Sequence, residues 1–327
     1  MLCIVFDHPG GPEVLRVGEA ERPEPGPGEI LIRVAAAGVN RADILQRKGL
    51  YPPPAGASPI LGLEVAGIVE KVGAGAGRWQ EGDRVCALLA GGGYAEYVCI
   101  RSDHALPIPE GMGFAEAAAL PEAVATVWAN LFEAGALRAG EVVLIHGGAG
   151  GIGSMAIQMA RQAGARVFAT AGSDEKINYC RDLGADLAVH YEREDFGRAC
   201  LAATGGRGVD VVVDILGGDY VARNLAALAE GGRHVSIAFM KGREALVDIS
   251  LLMGKRLVLM GSVLRGRTDL EKARLMREVE VRVWPWVVSG AIRPQLRDIF
   301  SLENASEAHK KVESGANMGK IALEVAS

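Results

Sequence analysis

Residues 141–163 constrain the fold more than any other stretch, because they join a strand, a glycine-rich turn and a helix. Residues 141–146 contain four consecutive apolar residues, as expected for a strand buried on both faces. Gly148, Gly150 and Gly153 follow in the spacing G-x-G-x-x-G, before a run of good helix formers. We expect Gly148 to permit a tight turn, Gly150 to let backbone approach a pyrophosphate, and Gly153 to pack helix against strand. The correct flanks favour a dinucleotide site at the helix N-terminus over a merely flexible glycine loop.

Composition and charge exclude several classes of protein. The chain has 327 residues, enough for two domains, and its 49% hydrophobic and 23% charged content is typical of a globular protein. The net charge of −5 argues against a nucleic-acid partner. Apolar runs are too short for a membrane span, and the N-terminus lacks the features of a signal peptide. Five scattered cysteines without a C-x-x-C pair favour a reduced, cytoplasmic location.

The order of predicted elements indicates an α/β chain in which one domain is inserted into another. Short strands separated by Gly- and Pro-rich turns fill the first 110 residues, as in a small barrel. From residue 141 strands alternate with helices, the signature of a doubly wound parallel sheet. The last helix and strand return to the first domain. We therefore predict a substrate domain of residues 1–122 and 291–327, and a nucleotide-binding domain of residues 123–290.

The end of the second parallel strand indicates NADPH rather than NADH. NAD-specific folds carry an Asp or Glu about 20 residues past the glycine motif, to bind the ribose 2′-hydroxyl. Thr170, Ala171 and Gly172 stand there instead, so a 2′-phosphate would meet no repulsion. Ser173 can donate a hydrogen bond to this phosphate and Lys176 supplies a positive charge. Alternatively, Ser173 only caps the next helix and Lys176 is only solvated, although capping and phosphate binding can coexist.

Two polar residues are candidates for the chemistry. No Ser-His-Asp set or carboxylate pair stands out, which fits hydride transfer from a bound nicotinamide. The Asn40 amide can bind the carboxamide or a ribose hydroxyl, and the Tyr51 hydroxyl can donate to a substrate oxygen as charge develops. The alternatives are a helix cap for Asn40 and a packed aromatic ring for Tyr51.

Short motifs spread over the whole chain occur in a recognisable order: FDHPGGPEVL, NRADILQRKGLYPPP, GLEVAGIVEKVG, GDRV, GGGYAEYV, GGAGGIG, AGSDEK and AHKKVESGANMGKIAL. In this order they resemble the zinc-independent quinone oxidoreductases of the medium-chain dehydrogenase/reductase superfamily, closest to the p53-inducible quinone oxidoreductase type. The resemblance implies a Rossmann doubly wound parallel sheet inserted in a split GroES-like β-barrel domain. It also implies a homodimer formed through an edge strand such as residues 256–263.

The resemblance also implies a cofactor site larger than the glycine loop. Tyr191 would join Ser173 and Lys176 at the 2′-phosphate, Thr126 would lie near the nicotinamide ribose, and Asn317 would approach from the C-terminal return. Six further residues would line the nicotinamide pocket, and simple core packing is the alternative for each: Leu216, Gly217, Phe239, Met240, Val263 and Leu264. The predicted cofactor-binding set is Asn40, Thr126, Gly148, Gly150, Gly151, Ile152, Gly153, Gly172, Ser173, Lys176, Tyr191, Leu216, Gly217, Phe239, Met240, Val263, Leu264 and Asn317.

Metal ligands of the zinc-dependent relatives have no counterpart in this sequence. Those relatives place a His in GHExxG and a Cys in an earlier loop. Here GLEVAG has Leu63 at the His position, the loop before Asn40 has no Cys, and the clustered cysteines of a structural zinc lobe are missing. We predict no metal site and expect Glu64 to act as a structural or hydrogen-bonding residue.

Together these features predict an NADPH-dependent quinone oxidoreductase without metal or flavin. Hydride would pass from nicotinamide C4 to a small-molecule quinone in the interdomain cleft, and water or Tyr51 would protonate the oxygen. One alternative is an NADPH-dependent reductase of α,β-unsaturated carbonyls such as alkenals and enones. A second is an NADPH-binding structural or RNA-binding protein, against which the acidic charge balance weighs.

Overall fold

The computed structural model describes residues 1–325 and consists of two compact units. The first unit comprises Met1–Ala125 and the chain from Arg265 onward, and the second is Thr126–Leu264. Residues 265–290, predicted within the nucleotide-binding domain, thus belong to the first unit. Hydrogen bonds hold them there, because Trp284 Nε1 donates to the Pro107 carbonyl at 2.8 Å and His104 Nε2 donates to that of Asp269 at 3.0 Å.

The strands and helices of residues 1–325 are numbered here in chain order. The strands are β1 (Leu2–Val5), β2 (Arg16–Glu19), β3 (Glu29–Val39), β4 (Glu64–Val72), β5 (Arg84–Leu88), β6 (Tyr97–Arg101), β7 (Ala105–Pro107), β8 (Val142–Ile145), β9 (Arg166–Ala171), β10 (Leu187–His190), β11 (Val209–Asp214), β12 (Leu228–Ser236), β13 (Val258–Gly261), β14 (Leu296–Ser301) and β15 (Lys320–Glu324). The α-helices are α1 (Arg41–Arg47), α2 (Phe114–Ala117), α3 (Pro121–Val127), α4 (Gly151–Gln162), α5 (Asp174–Asp182), α6 (Phe196–Ala203), α7 (Tyr220–Ala227), α8 (Ile249–Lys255), α9 (Asp269–Arg282), α10 (Trp284–Val288) and α11 (Ala305–Glu313).

The second unit contains a six-stranded parallel sheet in the order β10-β9-β8-β11-β12-β13. In the sequence order of these strands this is 3-2-1-4-5-6, the order of a Rossmann dinucleotide-binding fold. Its central strand β8 is buried along its whole length, as its uninterrupted apolar run predicts. The predicted doubly wound sheet is confirmed.

The first unit contains a seven-stranded sheet in the order β14-β15-β3-β4-β5-β7, with β6 also paired to β3. The C-terminal strand β15 pairs antiparallel with β3, where Ile321 lies opposite Val39. This pairing returns the end of the chain to the domain where it began, which confirms the split GroES-like architecture. It also brings the start of β15 beside the residues that follow β3.

The structure adds two strands that the sequence did not predict, β2 and β14. Residues 296–301 carry Arg297 and Asp298 and are only half-buried, so their pattern did not stand out as a strand. Within residues 1–325, none of the helices has both the length and the apolar character that crossing a bilayer requires.

Candidate active site

The glycine loop connects β8 to α4, and its glycines serve different purposes: some allow the backbone conformation of the turn, and others allow close packing. The turn covers residues 146–149, and its positive φ, +66°, lies at Gly147, directly before Gly148. Gly148 is instead required for packing, because a Cβ there would lie 2.8 Å from Cβ of Ala169 on the neighbouring strand. A Cβ on Gly153 would lie 2.2 Å from the Gly147 carbonyl oxygen, so the predicted close approach of helix and strand is present.

The N-terminus of α4 is suited to an anion. Gly150 occupies the N-cap position and has no side chain with which to cap the helix. A Cβ placed on Gly150 would meet its nearest neighbour at an ordinary 3.4 Å, so a ligand can approach this backbone. The first turn, which contains Gly151 and Ile152, presents N–H groups that an α-helix leaves without partners. Ile152 also lines a small cavity together with the predicted ribose residue Thr126.

Four of the predicted phosphate-site residues come together after β9 and β10. A Cβ on Gly172 would lie 2.4 Å from the Tyr191 hydroxyl, so the tyrosine packs directly over this glycine. Ser173 caps α5, because its Oγ accepts from the Lys176 backbone N–H at 3.3 Å. The capping role is therefore present, and the Lys176 side chain stands in the first turn of the same helix. Asp174 beside it is paired with Arg193 at 2.8 Å.

The six residues predicted to line the nicotinamide pocket follow the carboxyl ends of β11, β12 and β13. These neighbouring strands end on one edge of the sheet, the edge where open α/β sheets bind ligands. Phe239, Met240 and Val263 are 66%, 51% and 58% exposed, so core packing does not describe them. Leu264 is buried, and Leu216 is half-buried. Gly217 has φ +64° and pairs with Gly242 of the adjacent loop.

Asp214, the last residue of β11, holds the loop that follows this strand. Its carboxylate accepts from the backbone N–H groups of Leu216, at 2.7 Å, and Gly217. Burial alone would raise the pKa of Asp214, but the hydrogen bond from His234 and these N–H groups hold it below its ordinary value. The loop after β11 is thus anchored to an ionised, buried carboxylate.

In the first unit, Asn40 lies in a buried ionic cluster. Lys320 Nζ lies 2.5 Å from Glu64 Oε1 and donates to Asn40 Oδ1 at 2.6 Å, while Asn40 Nδ2 donates to Glu64 Oε1 at 2.9 Å. The second Glu64 oxygen accepts from the Glu122 backbone N–H at 2.9 Å. Asn40 does precede α1, as predicted for a cap, but its side chain is held by this cluster. Its predicted catalytic and cofactor contacts remain predictions.

The same cluster bears on the predicted absence of a metal. Leu63 is buried beside Glu64, and the charge that meets the Glu64 carboxylate is the ammonium of Lys320. Among residues 1–325, His, Cys, Asp and Glu side chains do not gather in groups of three or more that could hold a metal ion.

Tyr51 lies in an irregular segment and is half-buried. Its ring faces Arg265, whose guanidinium carbon is 5.4 Å from the ring centroid. Arg265 Nε donates to the Ala90 carbonyl at 2.8 Å, and Nη2 donates to Gln46 Oε1 at 2.6 Å. The sequence offered little to identify Arg265, apart from its position directly after the predicted pocket residue Leu264.

A second buried polar network lies behind Asn40. Arg47 can only donate, so His309 Nδ1 accepts from it at 3.3 Å, and His309 Nε2 then donates to the Tyr94 hydroxyl at 3.2 Å. Tyr94 in turn donates to Asp43 at 3.3 Å. Burial lowers the pKa of His309 to about 3 and raises that of Asp43 to about 6. The sequence did not identify this network, since its members lie far apart along the chain.

The buried histidines make stability depend on pH. Burial also lowers the pKa of His146 to about 4. Between about pH 6.5 and pH 4, His146 and His309 are protonated in the unfolded chain but remain neutral in the folded protein. The free energy of unfolding therefore falls as the pH falls. Each contributes at most about 1.4 kcal/mol per pH unit. Asp43 opposes this below about pH 6, because there the folded state binds the extra proton.

We therefore expect His309→Gln to flatten the decline in stability toward acid by up to about 1.4 kcal/mol per pH unit. Urea unfolding at several pH values measures this slope, and His8→Gln, at an exposed histidine, controls for loss of an imidazole. An unchanged slope in the His309 variant would contradict a neutral, buried imidazole.

Asn317 lies in the loop between α11 and β15, and its side-chain amide donates to the Gly319 carbonyl at 3.2 Å. The structure thus places Asn40, Tyr51 and Asn317 in the first unit, and the glycine loop with the other predicted cofactor residues in the second. Lys320 and Arg265 are polar neighbours of these residues that sequence reasoning missed.

Comparisons with known proteins match the whole chain. A family described as zinc-binding dehydrogenase matches residues 151–279, and one described as alcohol dehydrogenase GroES-like domain matches residues 26–110. A mycocerosic acid synthase-like polyketide synthase of Mycobacterium tuberculosis is 32% identical over 97% of this chain. The match covers 15% of the synthase, so the chain spans about one seventh of the length of the curated relatives it matches.

Two solved structures are similar over nearly their full length. Escherichia coli quinone oxidoreductase complexed with NADPH has 33% identity and a TM-score of 0.89, covering 99% of this chain and 100% of that one. CurK enoyl reductase has 28% identity and a TM-score of 0.87, covering 99% of each chain.

Proposed function

Because the chain belongs to the medium-chain dehydrogenase/reductase superfamily, we propose that it is an NADPH-dependent quinone oxidoreductase. The superfamily makes it an NAD(P)-dependent oxidoreductase, and the choice of NADPH and of a quinone is our proposal. The observation that carries it is the carboxyl edge of the parallel sheet. There an uncapped helix N-terminus, an apolar exposed surface and a phosphate-site cluster without a carboxylate in Thr170–Gly172 occur together.

The residues present fit NADPH. The pyrophosphate would bind the N–H groups at the start of α4, beside the open backbone of Gly150. Ser173, Lys176 and Tyr191 would hold the 2′-phosphate, and Phe239 with Met240 would cover the nicotinamide ring. NADPH, when bound, supplies the hydride at nicotinamide C4. The similarity to an NADPH complex of Escherichia coli quinone oxidoreductase supports this choice.

The protein's own part in the reaction is to orient the acceptor and to supply a proton. Within residues 1–325, Tyr51 has no hydrogen-bond partner for its hydroxyl, which leaves it available to a substrate oxygen. We propose that Tyr51 donates the proton and that Asn40, held between Glu64 and Lys320, keeps the neighbouring backbone in place. The Lys320 ammonium on Glu64 supports a site without zinc, because a second cation would meet its repulsion.

A reductase of α,β-unsaturated carbonyls is the second candidate. The similarity to CurK enoyl reductase and to polyketide synthases favours it. Such an acceptor takes hydride at the β carbon and the proton at the α carbon, so it requires the same cofactor and a differently placed proton donor. The two candidates therefore differ in the acceptor and share the cofactor site.

Steady-state kinetics with NADPH and NADH against matched panels of quinones and enones test the proposal. We expect a higher kcat/KM with NADPH than with NADH, higher values for quinones than for enones, and no change after dialysis against a chelator. Preference for enones by tenfold or more would replace the quinone with the second candidate. Loss of activity in the chelator would contradict the metal-free site.

We further propose a homodimer formed through β13. This strand is an edge of the parallel sheet, and its Val258 and Leu259 are 42% and 41% exposed. Ile249 and Met253 on the preceding helix α8 are exposed apolar side chains as well. Unpaired apolar edges favour association with another strand. We expect light scattering to give twice the chain mass, and Leu259→Lys to shift the protein toward the monomer, whereas a monomeric wild type would contradict the proposal.

A further inference from the structure

Arg265 is a buried cation whose guanidinium is not fully hydrogen-bonded. The residue is only 4% exposed, and no carboxylate within residues 1–325 forms an ion pair with its guanidinium. Two of its nitrogens are satisfied by the neutral oxygens of Ala90 and Gln46, and the third, Nη1, is buried without a hydrogen-bond partner. The charges of Asp43 and Glu122 act on Arg265 and raise its pKa.

Such an arrangement is costly. An unpaired buried charge loses its hydration, and here burial lowers the pKa of Arg265 even though Asp43 opposes the effect. The geometry is also rigid, because Gln46 is itself fixed by a 2.8 Å bond from its Nε2 to the Pro59 carbonyl. Unsatisfied and uncompensated groups of this kind concentrate at functional sites.

The group that this charge faces is Tyr51. The guanidinium carbon lies 5.4 Å from the centroid of the Tyr51 ring, and the tyrosine is half-buried. Two charged groups affect the pKa of the phenol, and burial has the largest effect on it. Burial raises the pKa of Tyr51, the Arg265 cation lowers it, and the Glu122 carboxylate raises it. Of these three influences, the Arg265 cation is the one that makes loss of the Tyr51 phenol proton easier.

We propose that Arg265 is a positioning residue that enables Tyr51 to act as the proton donor. The inference rests on the proposed reductase function. As hydride reaches the acceptor, the O–H bond of Tyr51 breaks, its proton goes to the substrate oxygen, and the electron pair stays on the phenolate. The Arg265 cation stabilises that phenolate, and water then returns a proton to it.

The first test needs no substrate. Tyrosine labelled with carbon-13 at Cζ allows each phenol to be titrated by NMR, and the signal missing in Tyr51→Phe identifies Tyr51. We expect Arg265→Gln to raise the pKa of Tyr51 by about one unit or more, and Arg265→Lys to leave it near the wild-type value. Glu122→Gln should lower it, which provides a second variant if Arg265→Gln does not fold.

The second test uses the pH dependence of kcat/KM with NADPH and a quinone. The basic limb of the profile should move to higher pH in Arg265→Gln and disappear in Tyr51→Phe. In both variants we expect KM to change little and kcat to fall by about tenfold or more. Arg16→Gln, at an exposed arginine paired with Asp7, is the matched control and should leave the profile unchanged.

The outcomes separate the inference from the proposed function. Turnover with NADPH together with an unshifted Tyr51 titration in both Arg265→Gln and Glu122→Gln would overturn the inference alone. Absence of turnover with every acceptor would overturn the proposed function and, with it, this inference.

Discussion

Lys320→Met should lower the free energy of unfolding by about 3–5 kcal/mol. Lys320 is 4% exposed and Glu64 is fully buried, and their charged atoms lie 2.5 Å apart. Removing the ammonium leaves the carboxylate with the Asn40 amide and the Glu122 N–H as donors, which do not neutralise its charge. The Glu64 carboxylate is then a buried anion with neither a counterion nor water around it. The loss in free energy of unfolding is therefore large.

The chain provides a matched control for this prediction. Lys311 is also 2.5 Å from a carboxylate, that of Asp298, but it is 38% exposed, so Lys311→Met should cost less than about 1 kcal/mol. Adding Glu64→Gln to Lys320→Met should recover part of the loss, because the remaining partner becomes neutral. Urea unfolding of the four proteins measures both effects. Equal losses in the two lysine variants would show that burial does not strengthen the Lys320 pair.

The glycine loop and the helices that flank it in the second unit were predictable because their signals are local in sequence. The glycine loop, the absent carboxylate in Thr170–Gly172 and the Ser173 cap lie within strand–turn–helix units whose geometry follows from spacing. The sequence alone did not show which glycine of the turn adopts the positive φ. Gly147 and Gly148 are adjacent glycines, so either can adopt positive φ, and packing against Ala169 selects the one that does not.

The polar clusters of the first unit depend on contacts between distant parts of the chain. Lys320 is separated from Glu64 by 256 residues and from Asn40 by 280, and pairing of β15 with β3 brings them together. Nothing in their local sequences indicates a partner. Arg265 is similar, since its role follows from the Ala90 and Gln46 oxygens that hold it. The residues after Arg265 likewise carry no local signal of the unit to which they belong, and they were assigned to the wrong domain.

Lys176→Glu should weaken NADPH binding by about 100-fold and change NADH binding by less than about threefold. The two cofactors differ only in the 2′-phosphate, so a loss confined to NADPH reports on that group. Lys176 stands in the first turn of α5, whose cap Ser173 and neighbour Tyr191 complete the cluster over Gly172. Charge reversal replaces attraction by repulsion of the dianion while leaving the helix cap, which uses the Lys176 backbone N–H, intact.

Isothermal titration of both cofactors against both proteins measures this effect without requiring turnover. Lys310→Glu, an equal charge change at an exposed lysine of the first unit, controls for the altered net charge. An equal loss for NADPH and NADH would indicate damage to the fold of the second unit rather than to a phosphate site. Unchanged NADPH affinity would place the 2′-phosphate elsewhere, and the missing carboxylate after β9 would then have to be explained by packing alone.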